Sequence, residues 1–268
     1  MAKLEVGFIG GGQMATALAA GAVSEGVFAV EKLGFVEPSS VQRAKLLEKF
    51  PGARVESNAS DLCADCERIV LAVKPHILRA IAGDLKPLVG SQLVISIAAG
   101  ISLADLQDML GTKRVVRVMP NTPCLVGAGA AGFSTDVSVS DEDVSWVEKT
   151  ITAVGTCNRV PDDLLHAVTG VSGSGPAYAY MVIEALSDGG VAMGLPRETA
   201  TTLAAQTLLG AAEMVLQTGQ HPGALKDQVT SPGGTTIAAV RSLESNGLRS
   251  SLMEAVAIAA KRSRELSS

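Results

Sequence analysis

The sequence predicts a doubly wound, mostly parallel α/β sheet in residues 1–162, followed by an all-α domain in residues 163–268. In the first part, short apolar runs alternate with segments of helical periodicity, which is the pattern of parallel βαβ units. No further run of the strand type follows residue 163. Apolar residues make up 47% of the chain and aromatic residues only 3%, so a sizeable core must be built mainly from aliphatic side chains.

The first part is predicted to contain five buried strands separated by helices. The strand segments are LEVGFIG (4–10), KLGFVE (32–37), ERIVLAV (67–73), QLVISIA (92–98) and RVVRVM (114–119). Helices are predicted over 13–26 and over 39–50, where a serine can cap the first turn. In such sheets ligands bind beyond the carboxyl ends of the strands, so we expect the functional residues there.

The second part is predicted to be helical throughout. Helices are expected from near Pro176 to Gly194, from Pro196 to Gly219, behind the SPGG turn, and over 248–266. The stretch SGSGPAY (172–178) is interpreted as a cap and tight turn at the first of these helices, as a wall of the substrate pocket, or as both. The helices are rich in Ala, Leu and Met, so we expect them to bury a face against a second copy of the chain.

A glycine motif follows the first predicted strand. Gly10, Gly12 and Ala15 form the pattern Gly-x-Gly-x-x-Ala, and a helix is predicted to begin directly behind it. Gly10 permits a tight turn, Gly12 lets the backbone approach a pyrophosphate, and Ala15 allows close packing of helix on strand. A plain tight turn is the alternative. In this context the motif indicates the dinucleotide-binding turn of a Rossmann domain, with the pyrophosphate at the helix N-terminus.

The end of the second predicted strand gives two conflicting signals about the cofactor. Glu37 is placed to accept a hydrogen bond from a ribose 2′-hydroxyl, which favours NAD. Ser39, Ser40 and Arg43 are placed to hold a 2′-phosphate, which favours NADP. Because these three groups cluster, we expect NADP(H) to be preferred and NAD(H) to be accepted as well.

A second glycine turn, TSPGGTT (230–236), precedes another predicted helix. No acid, base or metal ligand stands between Ser231 and Thr236. Gly233 and Gly234 let the backbone approach a ligand, and the helix behind them adds unpaired N–H groups and the positive end of its dipole. We interpret the turn as an anion cradle. The alternative, in which Ser231 and the threonines only cap the helix, stays open.

Composition argues against several classes of partner. The net charge is −5 and no run of Lys or Arg occurs, so we expect neither a nucleic-acid nor a membrane partner. The first residues enter a strand pattern almost at once, which leaves no room for a targeting peptide and favours a cytoplasmic protein. The CADC pair (63–66) lacks a second pair for zinc, so the cysteines are interpreted as structural and no metal site is predicted.

Three motifs in this order now carry a family resemblance: VGFIGGGQMA (6–15), VTGVSGSGPAY (168–178) and VTSPGGTTIAAV (229–240). Over essentially its whole length the chain resembles the pyrroline-5-carboxylate reductases. The resemblance implies a Rossmann domain followed by a helical dimerisation domain. It further implies reduction of the cyclic imine pyrroline-5-carboxylate to proline by NADPH or NADH. It also implies interlocked homodimers that build larger oligomers, often decamers.

The resemblance also implies the site residues. The cofactor is placed on Ile9, Gly10, Gly11, Gly12, Gln13, Met14, Glu37, Ser39, Asn58, Ala72, Val73, Lys74, Pro75, Ala98, Ala99 and Gly100. The substrate is placed near Asp162, Gln228, Thr235 and Thr236, to which the anion-cradle interpretation adds Ser231, Gly233 and Gly234. Asp162 stands where some relatives carry Glu, and Gln228 where they carry Asn.

The implied chemistry fits a site without a nucleophile or metal. A protonated imine is already electrophilic, so the protein must bind the carboxylate, hold the ring near the nicotinamide and exclude water. Positioning alone can supply several of the ~7–11 kcal/mol that well-oriented reactions gain. Thr236 is the predicted catalytic residue, because its hydroxyl can contact the ring nitrogen, either to stabilise the product amine or to pass a proton through water.

Two other functions stay open. A β-hydroxyacid dehydrogenase shares the plan of a Rossmann half followed by helices, but it needs a lysine as acid–base group in its second domain. No Lys occurs in GVSGSGPAYAY (170–180), where that group would follow. A cofactor-binding regulator without turnover is the second alternative, and the SPGGTT turn argues against it.

Overall fold

The contacts within the chain divide it into two compact units. The structure is a computed structural model that describes residues Lys3–Ser267. The sheet unit comprises the described residues up to Ser174 together with those from Ile258 onward, and the helical unit comprises Gly175–Ala257. The sequence predicted a domain boundary after residue 162, where the strand pattern ends, whereas the two contact-based units divide after Ser174. The predicted boundary stays a prediction.

The sheet unit is built on eight strands. They are β1 (Leu4–Ile9), β2 (Leu33–Val36), β3 (Arg54–Glu56), β4 (Cys66–Leu71), β5 (Leu93–Ser96), β6 (Val115–Met119), β7 (Gly129–Thr135) and β8 (Gly155–Arg159). Their order in the sheet is β3-β2-β1-β4-β5-β6-β7-β8. All neighbouring pairs are parallel except β6 and β7. The chain leaves β1 toward β2 on one side and returns to β4 on the other, which creates the crevice where doubly wound sheets bind ligands.

Helices connect these strands and form the helical unit. They are α1 (Gln13–Ser24), α2 (Ser40–Lys49), α3 (Pro75–Leu85), α4 (Leu103–Leu110), α5 (Asp141–Thr152), α6 (Leu165–Val168), α7 (Gly175–Ala192), α8 (Arg197–Thr218), α9 (Pro222–Gln228), α10 (Thr235–Ser245) and α11 (Leu248–Glu265). The predicted fold class, a mostly parallel α/β sheet followed by helices, is therefore confirmed, and each predicted strand lies where it was expected.

Six elements escaped the sequence prediction, namely the strands β3, β7 and β8 and the helices α5, α6 and α9. The reasons are identifiable for the three strands and for α9. β3 has only three residues, all half-buried. β7 contains two glycines and two alanines, and a Cβ at Gly132 would lie 2.9 Å from the Val168 side chain, so close packing rather than β propensity determines this strand. β8 is a largely polar edge strand. The short helix α9 begins at Pro222 and is capped by the His221 ring.

The core of the sheet unit fixes the strands whose ends form the candidate site. Phe8 of β1 stacks on Phe35 of β2 at 5.4 Å between ring centroids, and Phe35 contacts Phe50 at 5.3 Å. On the other face, Cys63 and Cys66 are buried beside Leu62. Burial raises the pKa of the Cys63 thiol to about 11 and that of the Cys66 thiol to about 12, so both are neutral core groups.

The SGSGPAY stretch differs from the predicted cap and turn. A π-helical segment, Thr169–Gly173, joins α6 to α7, so the helix continues and no free N-terminus with a side-chain cap is formed there. The Ser174 N–H donates to the Thr169 carbonyl at 2.8 Å, and the Ser172 hydroxyl donates to the Val168 carbonyl at 3.0 Å. The small residues permit this wider turn, a feature that recurs at functional sites.

The helical unit buries few of its own side chains. Only Ser187, Ala200 and Ala204 are buried among its residues, which all lie in the described part of the chain. Large apolar side chains are exposed instead, including Met181 at 68% and Met193 at 84%. Such a surface is typical of an element that is covered by another chain. No helix of the described residues is long and apolar enough to cross a membrane.

Candidate active site

The first glycine of the predicted cofactor turn is required by the backbone. Gly10 follows β1 with φ +101°, a conformation that favours glycine. A Cβ at this position would lie 2.9 Å from the Ala72 carbonyl oxygen, and the Gly10 N–H donates to the Val36 carbonyl at 2.8 Å. The chain therefore turns sharply between β2 and β4 at the point where the strand order reverses.

Gly12 stands before an open helix N-terminus. It is the N-cap residue of α1 with φ −72° and ψ 179°, and no side chain caps the helix. A Cβ at Gly12 would meet nothing within 4 Å, so there is free space in front of the helix. The first N–H groups of α1 have no partner within the helix, and together with its dipole they favour an anion in that space.

The turn between these glycines is held by α2 and by Glu37. The Gly11 N–H donates to Glu37 Oε2 at 3.1 Å, and Gln42 Nε2 donates to the Gly11 carbonyl at 2.8 Å. A Cβ at Gly11 would lie 2.5 Å from the Leu46 side chain. The turn is thus fixed in shape before any ligand binds, and Gln42 is a supporting residue that the sequence prediction missed.

The residues predicted to bind the ribose lie together and contact each other. Glu37 Oε1 accepts a hydrogen bond from the Ser39 N–H at 3.0 Å. The Ser39 hydroxyl caps α2 by accepting from the Gln42 N–H, which confirms the predicted serine cap. Arg43 donates to the carbonyls of Glu37 at 2.9 Å and Pro38 at 2.7 Å. Glu37 therefore stabilises the turn, and the Arg43 guanidinium lies beside the end of β2.

The remaining predicted cofactor residues follow neighbouring parallel strands. Asn58 follows β3, the segment Ala72–Pro75 follows β4, and Ala98–Gly100 follows β5. The Ala72 N–H donates to the Ile9 carbonyl at 2.9 Å, which joins the β4 end to the β1 end. Because parallel strands end at one edge of a sheet, these segments and the Gly10–Gly12 turn share that edge.

Asp162 is already bound on both carboxylate oxygens. Oδ1 accepts from Arg117 at 2.9 Å, and Oδ2 accepts from the Leu103 N–H at 3.2 Å. Arg117 lies in β6 and is 2% exposed. The sequence carried a signal for this pair, because an arginine inside a buried strand requires a buried partner. The role of Asp162 in substrate binding stays a prediction.

The second glycine turn lies in the helical unit and repeats the features of the first. Gly233 has φ +67°, and a Cβ there would meet nothing within 4 Å. Gly234 is the N-cap residue of α10 with φ −79° and ψ 178°, and no side chain caps the helix. The first N–H groups of α10 are consequently free to bind a ligand. The Ser231 hydroxyl crowds Gly234, because a Cβ there would lie 2.2 Å from it.

Two further residues predicted to contact the substrate lie near this turn. Thr236, in the first turn of α10, is half-buried, and among residues 3–267 its hydroxyl has no hydrogen-bond partner. Gln228 ends α9, and its Nε2 donates to Gln220 Oε1 at 2.8 Å. The open N-terminus, the glycines and the Thr236 hydroxyl form an arrangement that can bind an anion and hold a polar atom beside it.

The fold and the first turn define a dinucleotide-binding α/β protein of the oxidoreductase type. A family model described as NADP oxidoreductase, coenzyme F420-dependent, matches residues 5–100. A second family model, described as pyrroline-5-carboxylate reductase dimerisation, matches residues 162–266. The first match lies within the predicted sheet part, and the second covers the predicted helical part.

Similar proteins identify the family. A pyrroline-5-carboxylate reductase of Arabidopsis thaliana is 47% identical and covers 99% of this chain and 96% of its own length. The solved structure of a pyrroline-5-carboxylate reductase from Coxiella burnetii has a TM-score of 0.93 at 36% identity, with 99% of each chain covered. The reductase of Plasmodium falciparum, solved with NADP bound, has a TM-score of 0.87 at 36% identity, with 100% of each chain covered. The chain belongs to the pyrroline-5-carboxylate reductase family, which confirms the resemblance found in the three motifs.

Proposed function

We propose that this protein reduces 1-pyrroline-5-carboxylate to L-proline, with NADPH as the preferred cofactor and NADH as an accepted one. The observation that carries the proposal is the pair of helices, α1 and α10, that begin behind glycine without a side-chain cap. One is suited to a dinucleotide pyrophosphate and the other to a small carboxylate. The names of the full-length relatives and the NADP in the Plasmodium structure support the same reaction.

The sheet unit fits a dinucleotide. The free space in front of Gly12 is the place that a Cβ would fill, and the α1 N-terminus points its N–H groups into it. The pyrophosphate is expected on Gly10–Met14, the ribose near Glu37 and Ser39, and the rest of the cofactor along Asn58, Ala72–Pro75 and Ala98–Gly100. A bound reduced nicotinamide supplies hydride to the carbon of the imine.

The helical unit supplies the substrate contacts. The N–H groups at the start of α10 bind the carboxylate, and Gly233 and Gly234 let the backbone approach it. Ser231, Thr235 and Gln228 line the same turn. The Thr236 hydroxyl accepts a hydrogen bond from the N–H of the protonated imine, the electrophilic form, and can donate one to the nitrogen of the product amine. Hydride at carbon and the proton already on nitrogen together convert C=N to CH–NH, so no protein nucleophile is needed.

We also propose a homodimer as the basic unit, with larger oligomers such as decamers built from it. The exposed side chains of the helical unit, such as Met193 and Leu216, support burial against a second copy. The cytoplasm is the proposed compartment, because all four cysteines are free thiols.

A steady-state assay tests the proposal. Purified protein is mixed with pyrroline-5-carboxylate and either NADPH or NADH, and the loss of reduced-nicotinamide absorbance is followed with proline as the measured product. We expect turnover with both cofactors and a higher kcat/KM with NADPH. Cofactor binding without any proline formation would refute the enzyme and favour a regulator without turnover.

A further inference from the structure

The end of α11 packs on the sheet unit. Residues from Ile258 onward belong to that unit by contact, although α11 begins at Leu248. Ala260 and Ser263 are each 8% exposed, whereas Lys261 and Arg262 between them are exposed. Residues three apart share one face of a helix. One face of this helix end is therefore buried in the sheet unit.

A single side-chain hydrogen bond joins this face to α6. Ser263 Oγ lies 3.0 Å from His166 Nδ1, although 97 residues separate them. Burial, Arg117 and Arg264 lower the pKa of His166, and Asp162 and Asp163 oppose them without cancelling the effect. The imidazole is therefore neutral at neutral pH, and it pairs with a hydroxyl without placing a charge between the two elements.

The residue just behind α11 lies against the loop after β5. Gly100 has φ +69°, and a Cβ there would lie 3.5 Å from the carbonyl oxygen and 3.6 Å from the Cβ of Leu266. An added methyl group at Gly100 would be in ordinary van der Waals contact with Leu266, so the loop and the chain end lie side by side. The Gly100 carbonyl accepts from Arg79 of α3 at 3.4 Å.

The same loop is held from a second direction by Asp162. Its Oδ2 accepts from the Leu103 N–H at the start of α4, and its Oδ1 is fixed by the buried Arg117. Asp162 and His166 are four residues apart, so the two supports come from one short stretch. The Leu103 N–H is thus linked to Asp162, the chain continues from Asp162 to His166, and His166 bonds Ser263, three residues before Leu266, which lies beside Gly100.

We propose that the C-terminal segment Ala260–Ser267 positions the Ala98–Gly100 loop for the cofactor, and that His166 and Ser263 are the positioning residues that hold the segment in place. The assignment of this loop to the cofactor rests on the proposed function. The contacts that fix the loop do not depend on the proposed function. Neither His166 nor Ser263 touches the reacting groups in this proposal, and each acts through the contact of Leu266 with Gly100.

Two variants break the hydrogen bond, and two more serve as controls. Ser263→Ala removes the hydroxyl, and His166→Ala removes the ring. His166→Asn keeps a polar atom near the position of Nδ1 and should restore the wild-type behaviour in part. Ser251→Ala is the matched control, because it removes a serine from the same helix whose hydroxyl bonds only the nearby Gly247 carbonyl at 3.1 Å.

Binding of NADPH, followed by its fluorescence, is the main measurement. One lost hydrogen bond predicts an increase of about 2- to 12-fold in the Kd of NADPH for Ser263→Ala. The KM for the imine should not change, and Ser251→Ala should match the wild type. A purely structural role would lower the melting temperature of Ser263→Ala and leave the Kd of NADPH at the wild-type value, and that result would overturn the proposal.

Amide hydrogen exchange, measured without cofactor, tests the positioning role independently of the proposed function. The amides of residues 98–103 should exchange faster in Ser263→Ala than in Ser251→Ala, because their support is weakened. Unchanged exchange at this loop in both Ser263→Ala and His166→Ala would overturn the positioning role. A wild-type protein that binds no NADPH would instead refute the proposed function, while the exchange result would still decide the positioning.

Discussion

Gly12→Val separates a role in cofactor binding from a role in folding. Gly12 has an extended backbone, with φ −72° and ψ 179°, which any residue can adopt. A Cβ there would meet nothing within 4 Å, so a side chain at this position starts in free space. Its bulk fills the space in which the α1 N-terminus would bind a pyrophosphate. The substitution should therefore damage cofactor binding and spare the fold.

The magnitudes of the two effects differ widely. Replacing glycine at an N-cap with a poorer capping residue lowers the free energy of unfolding by about 1 kcal/mol. Valine also reduces the entropy of the unfolded chain, which raises the free energy of unfolding by about 0.4–1 kcal/mol. The net change in the free energy of unfolding is then below about 1 kcal/mol, which shifts the melting temperature by no more than about 4 °C for a chain of this size. Loss of one hydrogen bond to a charged phosphate costs about 1.5–3 kcal/mol, or about 10- to 150-fold in the Kd of NADPH.

Fluorescence titration with NADPH and a thermal melt test this prediction together. Gly83→Val is the matched control, because a Cβ at Gly83 also meets nothing within 4 Å and this residue lies inside α3, away from the glycine turn. It should bind NADPH like the wild type. A folded Gly12→Val protein whose Kd for NADPH stays within about twofold of the wild type would refute the assignment of this turn to the cofactor, since one lost charged hydrogen bond alone exceeds that change.

Three further predictions concern the substrate, the cofactor preference and the assembly. Thr236→Ala should lower kcat/KM for pyrroline-5-carboxylate about 10- to 150-fold with the Kd of NADPH unchanged, and Thr236→Ser should retain most activity. Normal kcat/KM with a lower melting temperature would refute the catalytic role of Thr236 and leave it a structural residue. Arg43→Ala should raise the KM for NADPH more than that for NADH, and an equal rise would show that Arg43 does not bind the 2′-phosphate. Light scattering should show a dimer or larger oligomer, because the helical unit exposes a surface suited to an interface of over ~2,000 Å². A stable, active monomer at micromolar concentration would contradict this assembly.

The sequence predicted the parts of the fold that local patterns determine. The five central strands are continuous apolar runs, and the first glycine turn has a fixed spacing behind β1, so both were found. β7 was missed because close packing determines its glycines: a Cβ at Gly132 would meet Val168, more than thirty residues away, and a Cβ at Gly129 would meet Val154. The π-helical segment at Thr169–Gly173 was missed because small residues are compatible with both a turn and a widened helix.

The contacts that support the candidate site were harder to predict because they join distant residues. The hydrogen bond between His166 and Ser263 spans 97 residues, and neither residue stands out in its own segment. Asp162 was predicted from the resemblance, yet its bonds to Arg117 and the Leu103 N–H appear only in three dimensions. Glu37 was predicted from its place at the end of β2, but its contact with the Gly11 N–H depends on the fold of the turn.

The caps of the helices distinguish structural N-termini from those that can bind a ligand. The helices α2, α4 and α5 begin on Ser39, Ser102 and Ser140, and each hydroxyl accepts a backbone N–H of its own helix. Such a cap stabilises a helix by about 0.5–2 kcal/mol. The helices α1 and α10 begin on Gly12 and Gly234 and forgo that gain, so their first N–H groups remain unpaired. A bound anion stabilises the helix N-terminus more than a serine cap would, because hydrogen bonds to charged groups contribute about 1.5–3 kcal/mol each. The chain can build serine caps, and at α1 and α10 the N-cap position holds instead a glycine with extended backbone. This contrast within one chain favours ligand binding over simple capping at both turns.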